Sequence, residues 1–297
     1  MRIVLHIGAT KTGSSALQIM LDGAREALAE SGVHYSALGV VRGAHHLLAA
    51  AIHPNAWRMH TADIPDDRAG FYEAMARQMV ADAKAAGAHT LLISSEYFWG
   101  TFERDLHRRM AAPLGNHPIE VLAFTRAPTE WAASSYLQAL KGGEQRDFAT
   151  YFKEVLAPWG SGLFAFRVIQ RHTLLLPARS VTTVDYGAAK ADVFAAAMAA
   201  LGVNVPSPPG RQRVNPSPGL SDMKALLAVN RSAGSAEEKA EGRAAVMRRL
   251  TPGERADALL TDDQRAEIVR LTMPSAALLA AHFPPPAKSA PPADAPS

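Results

Sequence analysis

The segment from Leu5 to Leu17, Leu-His-Ile-Gly-Ala-Thr-Lys-Thr-Gly-Ser-Ser-Ala-Leu, constrains this chain more than any other. The apolar run from Ile3 to Ile7 has the character of a buried strand. A turn bounded by Gly8 and Gly13 follows, and helical spacing then begins through Leu17, Met20, Leu21 and Leu28. Strand, glycine turn and helix together make a geometry suited to holding a phosphate. Glycines let the backbone approach the anion, and the helix start offers unpaired N–H groups at the positive end of its dipole. Lys11 adds a full positive charge, and Thr12, Ser14 and Ser15 add hydroxyl donors. On the residues alone, a strand–turn–helix with a surface lysine fits the same letters.

The segment is not a Walker A loop, which places lysine directly after its second glycine. Here Ser14 fills that position, and Lys11 precedes Gly13 by two residues. A second segment has a related construction. Val121 to Thr125 reads as a core strand ending at Arg126, and Pro128 suits the first turn of a helix. That helix would carry Trp131, Ser134, Ser135 and Gln138 about one face. A guanidinium at a strand end and a hydroxyl two turns along a helix can clamp one phosphate.

Lys11-Thr12-Gly13-Ser14-Ser15 and the Arg126, Pro128, Ser134, Tyr136 spacing resemble the two donor-binding motifs of sulfotransferases that use 3′-phosphoadenosine-5′-phosphosulfate (PAPS). The resemblance implies that Lys11, Thr12, Gly13, Ser14 and Ser15 hold the 5′-phosphosulfate, and that Arg126 and Ser134 hold the 3′-phosphate. Bacterial members of the family often carry a late stretch similar to Arg211-Gln212-Arg213-Val214-Asn215-Pro216-Ser217, which would add Arg213 and Asn215 to the nucleotide site. Read by itself, that stretch is a basic loop among prolines, and a solvated linker would look the same.

The rest of the composition bounds the answer. A chain of 297 residues makes one large or two modest domains. The net charge of +3 suits an anionic ligand, and no basic block with interleaved aromatics points to nucleic acid. Cysteine is absent, which excludes disulfides, thiolate catalysis and cysteine–zinc sites. No signal-like start or long apolar span is visible, so a cytoplasmic location is expected.

Strand candidates are Ile3–Ile7, Thr90–Ser94, Ile119–Thr125 and Val181–Val184, separated by helical stretches such as Phe71–Ala86 and Lys190–Leu201. This alternation predicts a three-layer α/β/α fold with a central, mostly parallel sheet, which the sulfotransferase resemblance implies is P-loop-like. Ligands in such sheets bind at the carboxyl ends of the strands. The expected organisation is an α/β domain over 1–218, a helical extension over 219–283 packed on it, and a disordered Pro/Ala-rich tail over 284–297.

The expected chemistry is transfer of a sulfuryl group from PAPS to an acceptor hydroxyl or amine, on a saccharide or a lipid, with no metal. Lys11 would neutralise charge as the nucleotide leaves. Glu96, in Ser94-Ser95-Glu96 after an apolar run, is the candidate base, and His46 is the alternative. Trp57, Tyr72, Tyr97, Trp99 and Trp131 are candidate walls for adenine or acceptor. Two other readings stand beside this one. The first is a P-loop kinase or NTPase, with Ile93-Ser94-Ser95-Glu96 imitating a Walker B strand. The second is a nucleotide-binding protein without activity.

Overall fold

The computed structural model describes residues 1–100, 109–176, 178–209, 218–250 and 260–283. Five strands form its sheet: β1 (Arg2–Gly8), β2 (Val33–Tyr35), β3 (Thr90–Ser94), β4 (Ile119–Thr125) and β5 (Ala178–Asp185), in the order β2-β3-β1-β4-β5. Every pairing is parallel. All five residues of β3 and six of the seven in both β1 and β4 are buried, as strands covered on both faces must be. The edge strand β5 extends three residues beyond the amino side of its expected start and is partly exposed. The short β2 has too few residues to show a period, and the sequence reading missed it.

Two helical layers cover the sheet. One consists of α1 (Ser14–Gly23), α2 (Arg25–Glu30) and, much later, α7 (Val193–Leu201). Their Leu17, Leu21, Leu28 and Phe194 share a core with Val4, Leu92 and Leu122. The other layer contains α3 (His46–Ile52), α4 (Arg68–Ala85), α5 (Pro128–Lys141) and α6 (Ala165–Leu175). It packs on the opposite side chains of the same strands, Ile3, Leu5, Ile7, Leu91, Ile93 and Val121. The period of two along each strand divides the core in this way.

Local sequence sets several of the helix ends. The Asp67 side chain accepts from Gly70 N–H to start α4, whose Tyr72, Ala76, Met79 and Ala83 are buried at spacings of three and four. Asp192 caps α7 through Ala195 N–H, and Gly202 closes it in the left-handed region at φ 71°. Further on, α8 (Leu220–Arg231), α9 (Ala236–Arg248) and α10 (Asp262–His282) follow. Ser235 with Glu238, and Thr261 with Gln264, form capping boxes for the last two. Met223, Leu226 and Ile268 of these helices belong to the same buried cluster as α5 and α6.

The topology creates a crevice. The connection leaving β1 crosses to one face of the sheet, whereas those leaving its neighbours β3 and β4 cross to the other. Loops therefore part at the carboxyl end of β1, the position where open α/β sheets bind ligands. The register fixes what flanks that point. His6 lies level with Ser94, two residues before Glu96, and Gly8 lies level with Phe124, two residues before Arg126.

Candidate active site

The loop from Ala9 to Gly13 is held without strong side-chain capping of α1. Gly13 occupies the N-cap position at φ 77°, and no side chain caps the helix. The first-turn N–H groups thus retain their capacity to bind an anion. A Cβ on Gly13 would stand 2.7 Å from the Tyr186 ring, so the position requires glycine for both space and φ. Lys11 has the same left-handed sense at φ 69°, a conformation that costs energy in a residue with a Cβ. The Thr12 hydroxyl donates to Ala9 O at 2.6 Å and lies 3.3 Å from Ser14 Oγ. Thr12 and Ser14 are buried, and Ser15 is exposed.

Residues from the β4 side clasp this loop. Arg126 Nη1 donates to Lys11 O at 2.9 Å, and Trp131 Nε1 donates to Thr10 O at 2.9 Å. Arg126 Nε also donates to Glu130 at 3.2 Å, and its guanidinium lies 5.2 Å from the centre of the Tyr186 ring. The Lys11 ammonium donates to Gln138 Oε1 at 2.7 Å. Burial lowers the pKa of Lys11 from its ordinary value, and the charges of Lys141 and Arg126 lower it further. Ser134 is half-buried, two turns along α5 from Arg126. Arg213 and Asn215 lie outside the described residues.

On the β3 side the groups that handle protons come together. Gln18 of α1 donates to Glu96 Oε2 at 2.9 Å, and His46 Nε2 stands 3.7 Å from Glu96 Oε1. His46 Nδ1 lies 3.0 Å from Ser95 Oγ, which accepts from Tyr97 N–H at 3.2 Å. With the Ser95 hydroxyl donating to Nδ1, the remaining ring N–H turns towards the Glu96 carboxylate, an arrangement that satisfies both groups. The His46 ring stacks on Tyr97 at 4.4 Å, and His60 Nε2 reaches the Tyr97 hydroxyl at 3.4 Å. Burial lowers the His46 pKa, Glu96 opposes that shift, and His60 and Arg42 add to it.

The structure thus unites the two base candidates. It corrects part of the aromatic expectation. Trp99 and Tyr72 are each 2% exposed and belong to the core, away from the Lys11 loop, and Tyr72 borders a small hollow between α3 and α4. Trp131 is also buried, and its indole N–H supports the loop at Thr10. Trp57 is half-buried beneath Arg58 and Arg68, and Tyr97 alone joins the Glu96 cluster. Sequence reasoning missed Gln18. Its signal was a polar residue within the buried stripe of α1, and it is 1% exposed.

A surface hollow lies beside the loop, not in it. An open groove of about 730 Å³ is lined by residues from Ala139 to Arg146 with Tyr151 and Val155, and begins within a turn of Gln138, the Lys11 partner. A smaller hollow of about 210 Å³ lies between α3 and α4, near Asp66 and Tyr72. We place the candidate site at the loop, because the convergent donors and the sheet topology meet there and cavity size carries no chemistry. Among the described residues no cluster of metal-ligating side chains was found, and no helix is long and apolar enough to cross a membrane.

No family model matches the chain, and no curated protein matches it. Solved structures do, two sulfotransferases among them. The sulfotransferase from Alicyclobacillus acidocaldarius is 15% identical, with 97% of this chain and 98% of that chain covered and a TM-score of 0.51. The sulfotransferase domain from the curacin biosynthetic pathway is 12% identical over 91% of this chain and 96% of that one, with a TM-score of 0.38. At such identity the likeness is one of architecture, and the first of the two carries it. The five-stranded parallel sheet with its two helical layers is a sulfotransferase fold.

Proposed function

We propose that the protein is a sulfotransferase that takes PAPS as donor and acts on an acceptor hydroxyl or amine. The observation that carries this reading is the junction of two distant segments, Arg126 clasping the backbone of Lys11 at the carboxyl edge of β1. One loop then offers N–H groups, hydroxyls and an ammonium, while a guanidinium stands beside it. That donor set suits a nucleotide with phosphates at two positions.

PAPS supplies the sulfuryl group and a leaving adenosine 3′,5′-bisphosphate. The loop amides, that of Thr12 included, hold the 5′-phosphate with the Ser14 and Ser15 hydroxyls, and Arg126 with Ser134 holds the 3′-phosphate. Arg213 and Asn215 would add to that grip. Glu96 accepts the proton of the acceptor as the new oxygen–sulfur bond forms. Lys11 meets the negative charge that builds on the bridging oxygen as the old sulfur–oxygen bond breaks. Its lowered pKa makes it a better proton donor to that oxygen than an ordinary lysine. His46 keeps the Glu96 carboxylate oriented, and it is the alternative base. A saccharide or lipid acceptor and a cytoplasmic setting complete the reading.

Calorimetric titration of the purified chain with adenosine 3′,5′-bisphosphate, without magnesium, tests the proposal. Saturable binding supports it. Binding only of magnesium-ATP would favour a kinase or NTPase, and nucleotide binding with no transfer to any acceptor would leave a protein without activity.

A further inference from the structure

Val41 to Ala44 form a two-residue hairpin turn, with Val41 N–H donating to Ala44 O at 2.8 Å and Ala44 N–H to Val41 O at 3.1 Å. The two central residues, Arg42 and Gly43, both have positive φ, at 53° and 84°. Two positive values in succession mark a type I′ turn. Gly43 suits its place, since a Cβ there would come 2.8 Å from Gln18 O. Arg42 does not, because this turn favours asparagine, aspartate or glycine at its first central position. A long side chain held there carries a conformational cost that an ordinary surface arginine avoids.

The turn is anchored to the candidate site. The Tyr35 hydroxyl donates to Gly43 O at 2.7 Å, and Gly43 lies against the α1 backbone at Gln18 and Ile19. Gln18 in turn holds Glu96. Directly after the turn, His45 N–H donates to Ser94 O at 2.8 Å, and His46 opens α3. Arg42 is exposed, and among the described residues its guanidinium has no hydrogen bond or ion pair. Its charge nevertheless reaches both His46 and Tyr97. The backbone that carries this unpartnered guanidinium is therefore anchored beside the groups proposed to receive the acceptor proton.

We propose that Arg42 binds an oxyanion of the acceptor, a carboxylate or a sulfate ester close to the hydroxyl that is sulfated, and so selects acidic acceptors. This rests on the sulfotransferase reading above. The guanidinium fork matches either oxyanion in a bidentate manner.

The test uses the full chain. Titration with adenosine 3′,5′-bisphosphate comes first and examines the functional reading by itself. The saturated protein is then titrated with methyl β-glucuronide, glucose 6-sulfate and methyl β-glucoside, which separates carboxylate, sulfate ester and neutral sugar. We expect the charged probes to bind about tenfold tighter or more than the neutral one, the scale of a charge-assisted bidentate contact. Arg42→Asn should abolish that preference, leave nucleotide affinity within about twofold, and raise the thermal midpoint because asparagine suits the turn. Arg42→Lys should keep part of the preference. Equal binding of charged and neutral probes by the parent would overturn the proposal. So would a preference that survives in Arg42→Asn, or a nucleotide affinity that falls with it, which would put Arg42 on the donor side.

Discussion

The two flanks of β1 are built from different materials. On the β4 flank, Arg126, Trp131 and Gln138 reach the Lys11 loop through backbone carbonyls and a single amide. On the β3 flank, Glu96, His46 and Ser95 meet through groups that can exchange protons, and the Tyr97 ring stacks on His46. The first flank is cationic and suits an anion that must be held. The second is mixed in charge and suits a proton that must move. One strand separates them, so under the proposed function donor binding and proton transfer should be separable by mutation.

The sharpest way to break this division is to alter each flank's central residue. Glu96→Gln should lower single-turnover transfer from labelled PAPS by about 10²–10⁴-fold, the usual contribution of a positioned base, with nucleotide affinity unchanged. Lys11→Ala should cost a comparable 10²–10³-fold through lost charge stabilisation. A Glu96→Gln variant that loses nucleotide binding as well would merge the two flanks into one.

Acid probes the β3 flank through stability. His6 on β1 and His45 before α3 are fully buried, and burial holds their pKa values at about 3 and about 4, below 6.5. The unfolded chain takes up protons that the folded chain refuses. Stability should therefore be intact above pH 6.5 and decline as pH falls towards 4 and then 3. At about 1.4 kcal/mol per unit, each histidine removes about 2 kcal/mol by pH 5. Urea melts at pH 7 and pH 5 measure this, and His45→Gln should flatten part of the slope.

Smaller effects belong to the β4 flank. Arg126→Ala should weaken adenosine 3′,5′-bisphosphate by about 2 kcal/mol, roughly 30-fold, through a lost charge-assisted contact, and adenosine 5′-phosphate much less. Ser134→Ala should cost about 1 kcal/mol in the same comparison. Equal losses for both nucleotides would remove Arg126 from the 3′-phosphate.

What the sequence disclosed follows the same division. The Lys11 loop is local, since strand, glycines and helix lie within about twenty residues, so spacing alone located it. Helices with strong caps were legible for the same reason, as Asp262 to His282 shows. The β3 flank is assembled from residues far apart in the chain. Gln18 and Glu96 are separated by 78 positions, and no periodicity links them. His46 was one of eleven histidines until the fold set it beside Ser95 and Glu96. Trp99 followed the candidate base in sequence, yet the turn from Glu96 to Trp99 rotates it into the core. The turn at Arg42 lacks an asparagine to announce it.

A crystal of the protein grown with adenosine 3′,5′-bisphosphate tests the central claim most directly. The account predicts the 5′-phosphate within the turn from Gly8 to Gly13, near the Lys11 ammonium, and the 3′-phosphate against Arg126 and Ser134. A nucleotide seated in the groove beyond Gln138, or bound with only one of those two cations in contact, would contradict it.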